Sequence, residues 1–164
     1  MTLYQDSFGF RKGAAAMDGM RTNLEAIQVV RLDFAAIAAA RVAAVVAALA
    51  AADVLEIMKV GAGFWVNLVG YKLITAEGAT ATMDVGDGAA ATGFASNINL
   101  NGTPGWTEVT LALTEGTPNT ITGYSDGKLY TAADTVDVVI DHNDVGVAVI
   151  DLVFAVRNYN YPDA

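Results

Sequence analysis

From Asp53 onward, hydrophobic and polar positions follow the short-period pattern of β-strands. The runs Val54–Val60 and Phe64–Thr75 are rich in branched and aromatic residues, and the glycines at 61 and 63 separate them. Further short strands are predicted at 79–85, near Phe94, and at 106–113, 128–131, 135–141 and 145–157. Clusters of Gly, Asn, Asp and Pro lie between these runs and are typical of turns.

Eight or nine short strands without long intervening helices predict a mainly β fold. We expect an antiparallel β-sandwich or jelly-roll-like barrel rather than a parallel α/β sheet. Residues 145–156 are almost continuously apolar, which favours a central strand that is covered on both faces. Residues 28–164 are therefore predicted to form one β domain, which suits a chain of 164 residues.

The region before this β pattern contains a predicted strand and a short helix. Residues 28–33 suit a strand, and Asp33 is a plausible N-cap for an alanine-rich helix that starts at Phe34. Alanine favours helix, so we expect one or two turns with Arg41 near the C-terminal end, and the same composition would allow an extension towards Ala51.

Residues 1–27 are predicted to be an extended N-terminal arm with no sustained period, apart from apolar residues at helical spacing between 17 and 27 that would suit a short helix. One interpretation is a terminus that frays. The other is a segment that a neighbouring chain orders, because its aromatic side chains would be unfavourable in water. The candidate contact residues of the arm are aromatic or basic: Tyr4, Phe8, Phe10, Arg11, Lys12 and Arg21.

The net charge of −9 is unevenly distributed. Residues 1–41 contain five basic and four acidic residues, whereas residues 42–164 contain four basic and fourteen acidic ones. An acidic body argues against nucleic acid and against an anionic membrane as partners, although solubility alone would also explain it. The apolar run 42–52 is too short to span a bilayer, and the first residues lack the features of a signal peptide.

Candidate catalytic groups are few, and we expect no enzymatic activity. The chain has no cysteine and a single histidine, His142, whose neighbours suggest a hairpin turn rather than an active site. Asp84 and Asp87 would supply two carboxylates to a calcium loop, but Asp and Gly are also ordinary turn residues, so no metal and no cofactor is predicted.

Four segments carry a resemblance to a known class of protein. They are DVLEIMKVGAG at 53–63, TAEGATATMDVGDG at 75–88, LTEGTPNT at 113–120 and SDGKLYTAADT at 125–135. Through these four segments, residues 28–157 resemble the capsid decoration (cement) proteins of tailed bacteriophages and, less specifically, their head fibres. The N-terminal arm has no counterpart in this resemblance.

The resemblance implies a jelly-roll-like homotrimer that binds the major capsid protein on the outer surface of the virion, after assembly in the host cytoplasm. The chemistry of the arm, rather than the resemblance, predicts that the residues given above bind the capsid: aromatic side chains would fill pockets of the partner, and basic ones would limit repulsion by acidic neighbours. Trp65, Trp106 or the alanine-rich segment would then be covered between copies. A carbohydrate- or receptor-binding jelly roll, as in a head fibre or adhesin, is the alternative, with Trp106, Tyr124 and Tyr130 stacking on sugar.

Overall fold

A computed structural model describes residues 25–44, 49–111, 120–121, 123–124, 126–142 and 145–159. These residues form one helix and eleven strands. In chain order they are β1 (Glu25–Asp33), α1 (Phe34–Ala43), β2 (Val54–Val60), β3 (Phe64–Thr75), β4 (Thr82–Gly86), β5 (Ala95–Asn99), β6 (Gly105–Glu108), β7 (Thr110–Leu111), β8 (Thr120–Ile121), β9 (Lys128–Leu129), β10 (Asp134–His142) and β11 (Val149–Asn158).

The strands form two open sheets. The first sheet has the order β1-β11-β3-β6, with β9 also paired to β3, and the second has the order β2-β10-β4-β5-β8-β7. Neighbouring strands are antiparallel, except for the short parallel pair of β7 and β8. The predicted fold class, an antiparallel β-sandwich with a short alanine-rich helix, is confirmed, and neither sheet closes into a barrel.

The hydrophobic core lies between the two sheets. The second sheet contributes Met83, Val138 and Ile140, all fully buried, and the first sheet contributes Leu152 and Phe154 among others. Each of these strands alternates buried residues with residues directed outward, as a sheet with one covered face requires. The core therefore consists of the inner faces of both sheets.

β11 is a central strand, as its apolar sequence predicts, but it is not covered equally on both faces. It lies between β1 and β3, and its inner residues from Ile150 to Phe154 are fully buried. Val149, Asp151 and Val153 alternate with them on the outer face and are only half-buried. The expectation of cover on both faces is wrong for this part of the strand, since no described layer packs across it.

Among the boundaries that differ from the sequence pattern, two change where residues belong in the fold. β1 begins at Glu25, so residues 25–27, which the pattern assigns to the arm, belong to the strand. The single strand expected at 106–113 is divided at the buried Val109, where the chain leaves the first sheet as β6 and enters the second as β7. Alternation continues through such a crossing, so periodicity alone does not reveal it.

The helix α1 is fixed at both ends. Asp33 is its N-cap, as predicted, and accepts a hydrogen bond from the N–H of Ala36 at 2.9 Å. Arg41, in the last turn, pairs with Asp53 at 3.0 Å. In the part of the chain that the structure describes, no helix has the length and apolarity needed to cross a bilayer.

Candidate functional site

The arm residues proposed as contacts lie outside the described residues, so the structure does not bear on them. The described residues instead contain a buried charged cluster, a second buried carboxylate and two outer sheet faces of different character.

Asp87 is the centre of the buried cluster, and its side chain is fully shielded from solvent. The Lys128 ammonium donates to Oδ2, as does the Tyr130 hydroxyl at 3.2 Å. The Tyr124 hydroxyl donates to Oδ1 at 3.0 Å. The ammonium also lies 4.9 Å from the Tyr124 ring centroid and 4.6 Å from that of Tyr130, so the two rings flank the cation.

A tight turn after β4 places this carboxylate. Oδ1 of Asp87 accepts from the N–H groups of Ala89 and Ala90 at 2.9 and 3.0 Å, as Asp commonly does in turns. Gly86 precedes the turn, and a Cβ there would lie 2.0 Å from the carbonyl oxygen of Ala90. The turn therefore folds against a strand position that only glycine can occupy.

The ionisation of the cluster follows from these contacts. Burial raises the pKa of Asp87, but the hydrogen bonds from Lys128 and the turn outweigh it, and the net pKa is below its ordinary value. Burial lowers the pKa of Lys128, and its bond to Asp87 reverses this to a net increase. Burial and the neighbouring carboxylate raise the pKa of Tyr130, which keeps its proton. The groups satisfy one another as a closed ion pair, an arrangement that stabilises structure and leaves no free base among them.

The two carboxylates of the candidate calcium loop do not converge. Asp84 lies within β4, whereas Asp87 follows the strand in a turn and is buried. Asp84 accepts from the N–H of Asn97 at 2.8 Å on the outer face, while Asp87 is directed inward. Within the described ranges, no three His, Asp or Glu side chains cluster as metal ligands.

His142 is exposed at the end of β10. The hairpin expected around it is wrong, because β10 belongs to the second sheet and the next strand, β11, to the first. The chain crosses between sheets here, and Glu77 secures the crossing. One oxygen of this carboxylate accepts from the N–H groups of Gly146, Val147 and Ala148 at 3.2, 2.9 and 2.9 Å.

The aromatic residues considered for sugar stacking are not presented together. Trp106 is 54% exposed, but Tyr130 is only 2% exposed. The hydroxyls of Tyr124 and Tyr130 are both engaged by Asp87, and the Tyr124 ring packs edge-on against Phe94. Tyr130 is therefore not a stacking surface, and the interpretation of these three residues as a sugar platform is wrong.

Sequence reasoning missed the role of Lys128. A weak signal exists, since Lys128 is the single lysine or arginine between 73 and 156, a stretch with many carboxylates. A lone cation among many carboxylates is expected to form an ion pair with one of them. Its partner, 41 positions earlier in the chain, follows only from the pairing of strands.

No protein-family model matches the sequence, and no curated protein sequence matches it. Among solved structures, the chain is similar to a chain of the cyanophage Pam1 capsid asymmetric unit. The TM-score is 0.50 and the identity 13%, over 83% of this chain and 85% of the other. A chain of the acidic stable capsid structure of Helicobacter pylori bacteriophage KHP30 aligns with a TM-score of 0.42 and 10% identity, over 82% of this chain and 91% of the other. At 13% identity, the likeness to the Pam1 chain shows a shared fold and nothing more specific.

Proposed function

We propose that this chain is a structural protein of a tailed-phage virion, and that it binds the outer surface of the capsid and stabilises the shell. The observation that carries the proposal is the fold shared with a chain of the cyanophage Pam1 capsid asymmetric unit, over more than four fifths of both chains. The local resemblance of residues 28–157 to decoration proteins supports the same role and makes it more specific.

The described body suits a structural role physically. Asp87 follows β4 in the second sheet and Lys128 lies in β9 of the first, so their ion pair joins the two layers. Glu77 holds the chain where it crosses between the sheets. Both carboxylates are used internally, which is consistent with a protein that binds rather than catalyses.

We place the capsid contact in the arm. Residues 1–24 precede β1 and contain three basic and two acidic residues, in a chain whose net charge is −9. A locally cationic segment reduces the electrostatic repulsion between an acidic body and an acidic neighbour, and aromatic side chains can anchor in pockets of a partner. The proposal includes self-association of the body as a homotrimer on the lattice.

Co-sedimentation with phage shells that lack this chain tests the proposal. The full chain should pellet with the shells, and a variant lacking residues 1–24 should keep its β circular-dichroism spectrum while losing capsid affinity by at least about tenfold. The deletion ends before β1 and leaves the edge strand intact.

Two variants separate the kinds of arm contact. The triple substitution of Tyr4, Phe8 and Phe10 by Ala removes the anchors, and the substitution of Arg11, Lys12 and Arg21 by Gln removes the positive charge. Binding that weakens with salt in the full chain but not in the Gln variant indicates an electrostatic contribution. Unchanged affinity after the deletion would exclude the arm as the anchor. If the full chain also fails to bind such shells, the capsid role itself is overturned.

A further inference from the structure

The two outer faces of the sandwich differ in chemistry. On the second sheet, Glu56 and Asp137 are cross-strand partners, and Asp84 lies opposite Val139 on the adjoining strand pair. Burial and the charge of Asp141 raise the pKa of Asp84, and burial with the charge of Glu56 raises that of Asp137. This face is crowded with carboxylates, so it repels a second acidic surface.

The outer face of the first sheet carries an apolar patch, which we define as Ile27, Val29, Gly70, Trp106, Val153 and Ala155. Register places these residues together, since Val153 pairs with both Val29 and Gly70, and Ile27 pairs with Ala155. Directly paired residues point to the same side of a sheet. The Trp106 indole lies directly over Gly70 at one edge of the patch, since a Cβ on Gly70 would be only 2.6 Å from the indole ring.

The most prominent side chains of this patch are directed to solvent. Ile27 is 63% exposed, Trp106 54% and Val29 40%. Single exposed apolar residues are ordinary on protein surfaces, whereas a contiguous group on one face indicates a contact. The half-buried Val153 lies between Val29 and Gly70 in the register.

Charges of both signs border the patch. Arg31 and Asp151 form a two-point ion pair across β1 and β11, at 2.7 and 2.9 Å. Lys72 pairs in register with Asp151, and Glu108 with Gly70. Arg157 lies at the far side, 5.1 Å above the Trp65 ring. The border is thus mixed, in contrast to the carboxylate-rich outer face of the second sheet.

We propose that this apolar patch faces the three-fold axis of the homotrimer, so that each copy of the chain docks against its neighbours through it, and the inference rests on the self-association included in the proposed function. Two copies of charge −9 repel one another, so stable contact requires a face with little net charge. The patch provides such a face, with an apolar centre and an ionic rim whose opposite charges can exchange partners between copies. Burial of Trp106, whose indole lies over Gly70, would supply an anchor of the kind that dominates interface energies.

Sedimentation equilibrium of matched variants, at about 1–100 µM protein, tests this surface. Ile27→Glu and Trp106→Glu place a charge in the patch and should weaken self-association by at least about tenfold. Val54→Glu is the control, because Val54 is 57% exposed on the outer face of the second sheet, and it should associate like the unchanged chain. Thermal melts establish that each variant folds.

A fluorescence readout covers the case in which a glutamate variant does not fold. Trp106→Phe keeps an apolar aromatic ring, and the difference between its emission and that of the unchanged chain reports Trp106. Iodide should quench this Trp106 emission less as protein concentration rises, because association shields the ring from solvent. A monomer at every concentration would overturn this interface and any trimer that forms in solution. An oligomer that withstands both glutamate variants would overturn the interface alone, and dissociation on removal of residues 1–24 would assign self-association to the arm instead.

Discussion

The ammonium of Lys128, in β9 of the first sheet, donates to the buried carboxylate of Asp87, just after β4 in the second. Since the Asp87 side chain is fully shielded and that of Lys128 is 20% exposed, the pair is held mainly within the protein. Two tyrosine hydroxyls and two backbone N–H groups complete the hydrogen bonding of the carboxylate. The cluster acts as a link between layers, in a chain that has no cysteine to form a covalent one.

Removal of the cation should destabilise the fold strongly. Lys128→Met keeps most of the side-chain volume but leaves a buried carboxylate without its counter-charge, so we expect a loss of about 3–5 kcal/mol. Urea denaturation followed by tryptophan fluorescence measures it. Lys59→Met, at an exposed strand position, is the control and should change stability by less than about 0.5 kcal/mol. Equal effects of the two substitutions would contradict the role of the pair.

The glycine before the turn should be as sensitive as the ion pair itself. A Cβ on Gly86 would lie 2.0 Å from the carbonyl oxygen of Ala90 and 2.4 Å from Ala91, and both obstacles are backbone. Gly86→Ala must therefore displace the turn that holds Asp87, and we expect a loss of more than about 3 kcal/mol. Gly88→Ala, which meets nothing within 4 Å, should be neutral within about 0.5 kcal/mol. Thermal melts of the two variants compare them directly.

The sequence predicted strands correctly where the hydrophobic pattern of a segment and the turn residues at its ends agreed. Val54–Val60 and Phe64–Thr75 are bounded by glycines and rich in β-formers, and the structure gives the same limits. The N-cap at Asp33 was likewise a local signal. Each of these features depends on interactions between residues close in the chain.

Features that depend on pairing between distant strands could not be derived in this way. Alternation passes unchanged through Val109, although the chain changes sheets there. The sequence around Tyr130 predicts an exposed aromatic side chain. However, β9 pairs with β3, and Tyr130, the residue after β9, is buried in the core. The contact of Asp87 with Lys128 needs the same long-range register.

Neutralisation of an unfavourably placed carboxylate on the second sheet should stabilise the protein. Burial first, and then the charges of Glu56 and Asp134, raise the pKa of Asp137, and its buried Oδ1 has no hydrogen-bond partner among the described residues. A raised pKa in the folded state means that this group favours folding at low pH and opposes it as pH rises through the folded value. Asp137→Asn should therefore raise the free energy of unfolding by up to about 1 kcal/mol at neutral pH. This corresponds to a rise in melting temperature of roughly 2–4 °C.

The gain from that substitution should depend on pH. Below the unfolded pKa of Asp, about 3.9, the native side chain is neutral in both states and the advantage of Asn should disappear. Melting curves of the Asp137→Asn variant and the unchanged chain between pH 7 and 3 measure this. Asp126→Asn, at an exposed carboxylate, is the matched control. A gain that persists unchanged at pH 3 would show that charge is not its cause.

Glu77 should have the opposite pH dependence. Burial raises the pKa of this carboxyl, but hydrogen bonds from the N–H groups of Val147, Ala148 and Gly146 outweigh it, and the net pKa is lowered. A group with a lowered pKa contributes stability above its unfolded value, about 4.3, and that contribution is lost as pH falls through the folded value. The amide of a Glu77→Gln variant cannot ionise and accepts these bonds less strongly, so the substitution should destabilise the protein by about 1–3 kcal/mol at pH 7.

The melting curve of the Glu77→Gln variant should then approach that of the unchanged chain as pH falls below about 4, since the protonated carboxyl and the substituted amide are both neutral acceptors. Parallel curves from pH 7 to pH 3 would mean that the crossing between β10 and β11 is held by shape alone, and not by the charge of this carboxylate.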